Sequence, residues 1–226
     1  MTRDGPSKWT GSTDGTAVGE RYDWWSRHPQ AFDLLYDLAF FGREDTFRDR
    51  AFDALDAQAG DAVLEVGCGP GNSFAPIRDQ IGSRGTLVGV DVSQGMIRAA
   101  ERRVREEDWE NVHAVRGDAR QLPFGRGAFD LAFASMSLSA VPEPGRAIEA
   151  VERALVPGGE LIVLDAQPFQ RGGWRLLNPF LIPIAEYATK WVPDVDLLAA
   201  LRDTFGTVDV STFYGESLLV VRAEKS

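Results

Sequence analysis

From about residue 60 the chain alternates short apolar runs with amphipathic stretches. The apolar runs Val63–Val66, Thr86–Asp91, Val112–Val115, Phe129–Ser135 and Glu160–Asp165 are bounded by glycines and polar clusters, and they read as buried strands. Between them the spacing changes to that of a helix. Phe74 to Ile81 ends at Gly82, and Ser93 to Glu107 sets Met96, Ile97, Ala100 and Val104 on one face with arginine and glutamate on the other. Pro142 to Leu155 is a third such helix, stopped by Val156-Pro-Gly-Gly. Strands alternating with helices predict βαβ units and a parallel sheet. The C-terminal end differs. A helix over Asp194–Thr204 is followed by Thr207–Phe213 and Ser217–Ala223, joined through Tyr214-Gly215-Glu216 as a hairpin.

The flanking stretches have other patterns. Residues 1–18 are rich in Gly, Ser, Thr and Asp and read as a disordered leader, with Trp9 as the exception. Residues 19–59 read as helices: Phe32, Leu35, Tyr36, Ala39 and Phe40 share one face, then Phe47, Ala51, Phe52 and Leu55, with Pro29 as a start and Gly42 and Gly60 as stops. The cluster Tyr22-Asp23-Trp24-Trp25-Ser26-Arg27-His28 is either core filler, which suits Trp24 and Trp25, or a lid over a pocket. Residues 60–167 form the alternating core, and 194–226 the closing helix and hairpin. Between them, 168–193 is aromatic and broken by Pro179, Pro183 and Pro193. That insertion reads as a pocket wall, as plain core, or as a contact with a membrane surface through 169–192.

The candidate chemistry centres on Glu65-Val-Gly67-Cys-Gly69-Pro-Gly71, where a strand runs into three glycines and then a helix. Glycines at alternate positions permit unusual backbone angles and let a ligand lie against the main chain. Dinucleotides ask for Gly-x-Gly-x-x-Gly, and the spacing here is Gly-x-Gly-x-Gly. A glycine-rich turn that binds nothing is the alternative. Asp91 ends the second strand, 20 residues after Gly71, where doubly wound folds place a carboxylate for ribose hydroxyls. Capping the next helix would be its other role, but Ser93 can do that. Asp118 after the third strand is a second such acid, with a turn aspartate as the alternative. Glu65, Asp91 and Asp118 thus fall at three successive strand ends.

These residues resemble motifs of the class I S-adenosylmethionine-dependent methyltransferases. The glycine loop is similar to that family's first motif, Gly117-Asp118-Ala119 with Gln121-Leu-Pro-Phe124 to its third cofactor position, and Leu155-Val-Pro-Gly-Gly-Glu-Leu161 to the run before the fifth strand. The resemblance spans about residues 60 to 223. It implies a doubly wound, seven-stranded, mostly parallel α/β sheet with an antiparallel last strand and an N-terminal helical lid. It implies S-adenosyl-L-methionine held by Glu65, Gly67, Cys68, Gly69, Gly71, Asp91, Val92, Met96, Asp118, Ala119 and Ser135. The nearest subgroup looks like the ubiquinone/menaquinone biosynthesis and phospholipid N-methyltransferase relatives, which makes a quinone or lipid-type small molecule the expected acceptor. The tip Ser135-Met-Ser-Leu-Ser139 lacks the Asn/Asp-Pro-Pro-Tyr pattern of amide and base N-methylation, and Ser139 stands where quinone-acting relatives often carry histidine. Candidate bases are Tyr22, His28, Asp165 and Tyr214, with Tyr22 also a lid residue. A nicotinamide-dependent oxidoreductase and a non-catalytic S-adenosylmethionine binder are the alternatives.

Composition narrows the partners. Across 226 residues the net charge is −10, and three of the 24 bases are lysine. That balance argues against a nucleic-acid surface. It suits either a high-salt habitat or a GC-rich genome. Cys68 is the sole cysteine, so no intramolecular disulfide forms, and its place is that of a small residue in a tight turn. Two histidines and one cysteine, far apart, suggest no metal site. The N-terminus does not read as a signal peptide and no run nears the ~20 apolar residues of a membrane span, so a cytoplasmic location is expected. Oligomeric state is left open.

Overall fold

The computed structural model describes residues 16–28, 44–192 and 196–226. Seven strands form one sheet: β1 Ala62–Val66, β2 Thr86–Asp91, β3 Val112–Arg116, β4 Phe129–Ser135, β5 Leu155–Ala166, β6 Thr207–Phe213 and β7 Leu218–Glu224. Their order is β3-β2-β1-β4-β5-β7-β6. The first five pair in parallel, and β7 runs antiparallel to both β5 and β6. The strand order reverses beside β1 and β4. Loops at their carboxyl ends diverge there and leave a crevice.

The described helices are α1 Thr16–Trp25, α2 Glu44–Leu55, α3 Phe74–Ile81, α4 Gln94–Glu106, α5 Pro144–Ala154, α6 Asn178–Thr189 and α7 Leu197–Thr204. Side-chain alternation on the strands divides the core into two layers. Val63, Leu87, Leu131, Phe133, Ile162 and Leu164 face α2, α3 and α4 through Phe52, Leu55, Phe74, Ile77 and Ile97. Leu64, Val66, Ala132, Ala134, Leu161 and Val163 face α5 and α7 through Ile148, Val151, Leu197 and Leu201. A sheet covered on both faces explains why its strands read as continuous apolar runs.

The structure changes several expectations. Helix α1 starts at Thr16, so residues 16–18 are helix and not leader. The predicted face through Phe32, Leu35, Tyr36, Ala39 and Phe40 lies outside the described residues, as do Trp9, Pro29, Gly42 and Pro193. Helix α5 starts at Pro144, because Glu143 before it takes a left-handed φ of 55°. Strand β5 starts at Leu155, with the register to β4 shifting between Phe129 and Leu131. Trp25 is buried, whereas Trp24 is 45% exposed and so is not core filler.

Helix α1 is tied down through its last turn. Asp23 Oδ1 accepts hydrogen bonds from Ser93 Oγ at 2.5 Å and from the Gly95 amide at 2.7 Å, at the start of α4. Trp25 Nε1 donates to the Ala188 carbonyl at 2.7 Å, and the Tyr22 hydroxyl to that of Thr189 at 3.1 Å, both at the end of α6. A carboxylate at a helix start and donors at a helix end complement the two dipole ends.

Candidate active site

The glycine loop is built from the β2 end. The Gly67 and Cys68 amides both donate to the Val90 carbonyl, at 2.7 and 3.1 Å. Asp91 bridges the two strand tips: Oδ2 accepts from the Gly69 amide at 2.9 Å and Oδ1 from the Ser93 amide at 2.8 Å. Ser93 caps α4 by accepting from the Met96 amide at 3.1 Å, as its position predicted. The loop thereby turns its main chain toward a cavity of about 250 Å³ at the carboxyl ends of β1, β2, β3 and β4.

Ten of the eleven residues assigned to the cofactor line that cavity: Glu65, Gly67, Cys68, Gly69, Asp91, Val92, Met96, Asp118, Ala119 and Ser135. Gly71 is buried and does not line it. The glycines also divide their labour. A Cβ on Gly67 would sit 2.4 Å from that of Ser137, and one on Gly71 would sit 2.7 Å from the Phe74 ring. Those two glycines make room for the protein's own packing. Gly69, at φ +53°, would meet nothing within 4 Å, so it alone keeps the ligand side clear. Gly67→Ala is accordingly expected to lower stability by about 3 kcal/mol through the clash and the positive φ, seen as a reduced melting temperature. Gly69→Ala should cost only about 1 kcal/mol of backbone strain, and calorimetric titration should register a larger loss in ligand binding.

The acids sit in different electrostatic settings. Glu65 is buried, and desolvation pushes its carboxyl up to about 8 despite a hydrogen bond from Ser73 and the Arg48 charge. Its Oε2 has no hydrogen-bond partner among the described residues. Burial raises Asp91 to about 6, offset by the Ser93 and Gly69 amides. The Cys68 thiol is pushed up by burial and by the nearby Asp91 and Glu65 carboxylates, which makes it a poor nucleophile. Asp118 is held below its usual range. Burial opposes ionisation there, but Arg120 outweighs it, with Nη2 2.7 Å from Asp118 Oδ2.

The four candidate bases are scattered. Tyr22 lines the cavity with its hydroxyl on Thr189. His28 is exposed, stacks on Trp24 at 4.3 Å and donates from Nδ1 to the Trp24 carbonyl. Asp165 is fully buried and binds the Ser139 hydroxyl and amide at 2.5 and 3.0 Å, joining the tips of β4 and β5 away from the cavity. Tyr214 sits in the β6–β7 turn, packed on the core layer that faces α2. His28, Asp165 and Tyr214 are therefore not placed to act on a ligand in this cavity. The sequence reading missed Arg48 from α2, Val18 from α1, Arg120, and the apolar wall of Met136, Ala140, Val141 and Pro142. Met136 stands out, at a left-handed φ of 52° on the β4 tip.

Residues 63–159 match the family described as Methyltransferase domain. The demethylmenaquinone methyltransferase of Staphylococcus carnosus is 26% identical over 204 residues, covering 81% of this chain and 84% of the relative. That of Listeria welshimeri is 28% identical over 145 residues, 64% of this chain and 61% of the relative. The chain thus spans less than two thirds of some relatives' length. A crystal structure of an S-adenosylmethionine-dependent methyltransferase from Aquifex aeolicus superposes with a TM-score of 0.60 at 18% identity, over 79% of this chain and 89% of that one. Residues 63–159 thus carry a methyltransferase domain, and the chain is similar to S-adenosylmethionine-dependent methyltransferases over most of its length. The seven-stranded sheet with an antiparallel β7 agrees with that similarity.

The methyltransferase cavity fits its cofactor. The orphaned Glu65 Oε2 asks for a donor, which the cofactor's ammonium is. Open space above Gly69 admits a ligand against the main chain. Asp91 stands at a strand tip with lone pairs left for ribose hydroxyls. Among the described residues no helix is long and apolar enough to cross a membrane.

Proposed function

We propose that this methyltransferase transfers a methyl group to a carbon of a lipophilic, electron-rich ring of the reduced-quinone type. The observation that carries the proposal is the wall at the β4 tip. Met136, Ala140, Val141 and Pro142 line the cavity there, with the hydroxyls of Ser135 and Ser137 as the polar groups of that tip. Such a wall accepts an apolar ring and supplies no strong base. The hydroxyls of a hydroquinone make its ring carbon nucleophilic: the C–CH3 bond forms as the S–CH3 bond breaks, and the proton then lost from that carbon passes to water. The demethylmenaquinone methyltransferases among the relatives support the same class of acceptor.

When bound, S-adenosylmethionine supplies a methyl group on a sulfonium and departs as S-adenosylhomocysteine. The chain's residues bind and orient it. Glu65 would receive the ammonium, Asp91 the ribose hydroxyls and Asp118 the adenine amino group, with Val92 and Met96 beside the base. Arg48, close enough to Glu65 to influence its carboxyl, is suited to the cofactor carboxylate. Helix α1, through Val18 and Tyr22, covers the same cavity and keeps water out. Rate then comes from alignment of two bound partners.

The test is transfer of label from methyl-tritiated S-adenosylmethionine to reduced short-chain naphthoquinols, beside their oxidised forms, phosphatidylethanolamine and small amines. Label on a ring carbon of the reduced quinol alone is the expected result. Label on amines or ethanolamine headgroups would overturn the acceptor class. Cofactor binding with no transfer to any of them would favour a non-catalytic binder.

A further inference from the structure

The stretch after β5 is built to face something other than this chain. A 3₁₀ turn over Gly172–Leu177 leads into α6, and of α6 only Ala188 is buried. Leu176 is 77% exposed, Phe180 71% and Tyr187 72%, and Trp174, Leu181 and Ile184 are also exposed. Phe180, Ile184 and Tyr187 recur at helical spacing, so they form one stripe along α6. The turn continues that stripe through Trp174 and Leu176. Large apolar side chains gathered in this way are uncommon on a surface meant for water.

Charge separates this surface from the rest of the molecule. Residues 168–192 carry three cations, Arg171, Arg175 and Lys190, against the single anion Glu186, while the whole chain has a net charge of −10. Arg171 precedes the turn and pairs with Glu216 at 2.7 Å, Arg175 lies in the turn beside Trp174, and Lys190 caps the end of α6. Aromatic and aliphatic side chains mixed with arginine, on an otherwise acidic body, suit a bilayer interface. The ring faces enter the acyl boundary, the cations meet lipid phosphates, and the acidic remainder is held away. The same distribution disfavours a second copy of the chain, which would bring its own acidic body into close approach.

We infer that the 172–187 surface docks this methyltransferase onto an anionic lipid bilayer. The position of α6 gives the docking a purpose. Its last carbonyls hold Tyr22 and Trp25, and Arg21 lies 4.8 Å over the Tyr187 ring. The helix that covers the cofactor cavity is thus fastened to the helix that meets the lipid. An acceptor dissolved in the bilayer would be delivered next to the lid. This inference does not depend on which acceptor is methylated.

The experiment is flotation of the full chain with vesicles of phosphatidylcholine alone and of phosphatidylcholine with a third phosphatidylglycerol, in low and in molar salt. Wild type should float with the anionic vesicles and less well with neutral ones. Phe180→Glu/Ile184→Glu should lose about a hundredfold in partitioning, since two large apolar side chains no longer leave water. The same double variant must bind S-adenosylhomocysteine as wild type does, which shows that it is folded. A second variant, Arg171→Gln/Arg175→Gln, should lose only the preference for anionic lipid. Absence of wild-type flotation with either vesicle overturns the inference. So does flotation of the double-glutamate variant as efficient as wild type. A concentration-dependent dimer in light scattering that the double variant abolishes, without vesicle binding, would overturn it by assigning the surface to self-association.

Discussion

Asp91→Ala is expected to weaken S-adenosylmethionine binding by about a hundredfold or more, on the basis of the hydrogen bonds it removes. Two losses combine. The ribose hydroxyls lose a charged acceptor at the tip of β2. The loop itself also loses its brace, because Asp91 holds the amides of Gly69 and Ser93 at 2.9 and 2.8 Å. Each freed amide costs about 1 to 3 kcal/mol if nothing replaces the carboxylate. Asp91→Asn separates the two contributions. It keeps one acceptor oxygen of the same reach and no charge, so affinity should fall by about tenfold only. Calorimetric titration with S-adenosylhomocysteine reads both, and a melting curve reports the loop. Because burial lifts the Asp91 carboxyl to about 6, wild-type affinity should also drop as pH falls below that value. Undiminished binding by the alanine variant would remove Asp91 from the cofactor site.

Glu65→Gln is expected to make the protein more stable and a worse binder. Burial raises the Glu65 carboxyl from 4.5 to about 8 in the fold. The folded state therefore favours the protonated form. Its stabilising contribution is fully present below about 4.5 and is lost as pH rises through about 8. Wild type should thus melt at progressively lower temperature from pH 5 to pH 9, through a loss of a few kcal/mol at most. Glutamine is neutral throughout and should flatten that dependence, melting roughly 5 °C higher than wild type at pH 9. Binding goes the other way. A cofactor ammonium at Oε2 turns the buried carboxyl into a paired carboxylate, so wild type should release about one proton on binding at pH 7. Calorimetry in buffers of different ionisation enthalpy counts that proton. The glutamine variant should release none and bind about tenfold more weakly. An unchanged proton count in the variant would mean that Glu65 does not meet the ligand. The destabilised acid is a case of strain kept for function.

Much of this architecture was legible because the sheet is covered on both faces. The spans Phe74–Ile81, Thr86–Asp91, Phe129–Ser135 and Thr207–Phe213 agree with those read from hydrophobic pattern alone. The three acidic strand tips were legible for a related reason: an acid at the end of an apolar run stands out. What escaped depended on distant partners. Helix α1 begins inside a stretch of leader-like composition, and its anchors are Ser93 and Gly95, some seventy positions away. Arg48 and Arg120 look like any surface arginine until the fold turns them toward the cavity. Asp165 reads from sequence as a candidate base at the end of the fifth apolar run, and only the backbone path of the β4 tip shows that Ser139 consumes it. The chemistry that makes His28 and Tyr214 candidates carries no information about direction.

One ring sets terms for two of the glycines. A Cβ on Gly71 would lie 2.7 Å from Phe74, and a Cβ on Gly89, in the neighbouring strand, would lie 2.6 Å from the same ring. Phe74 is wedged between the loop and β2 and touches both. Gly89 has an ordinary φ, so its side chain is forbidden by that ring and by Cys68 and not by the backbone. The order in which this region can drift is fixed as a result. Position 89 becomes free to vary only after both Phe74 and Cys68 have given way, whereas position 71 stays glycine by its φ of 78°.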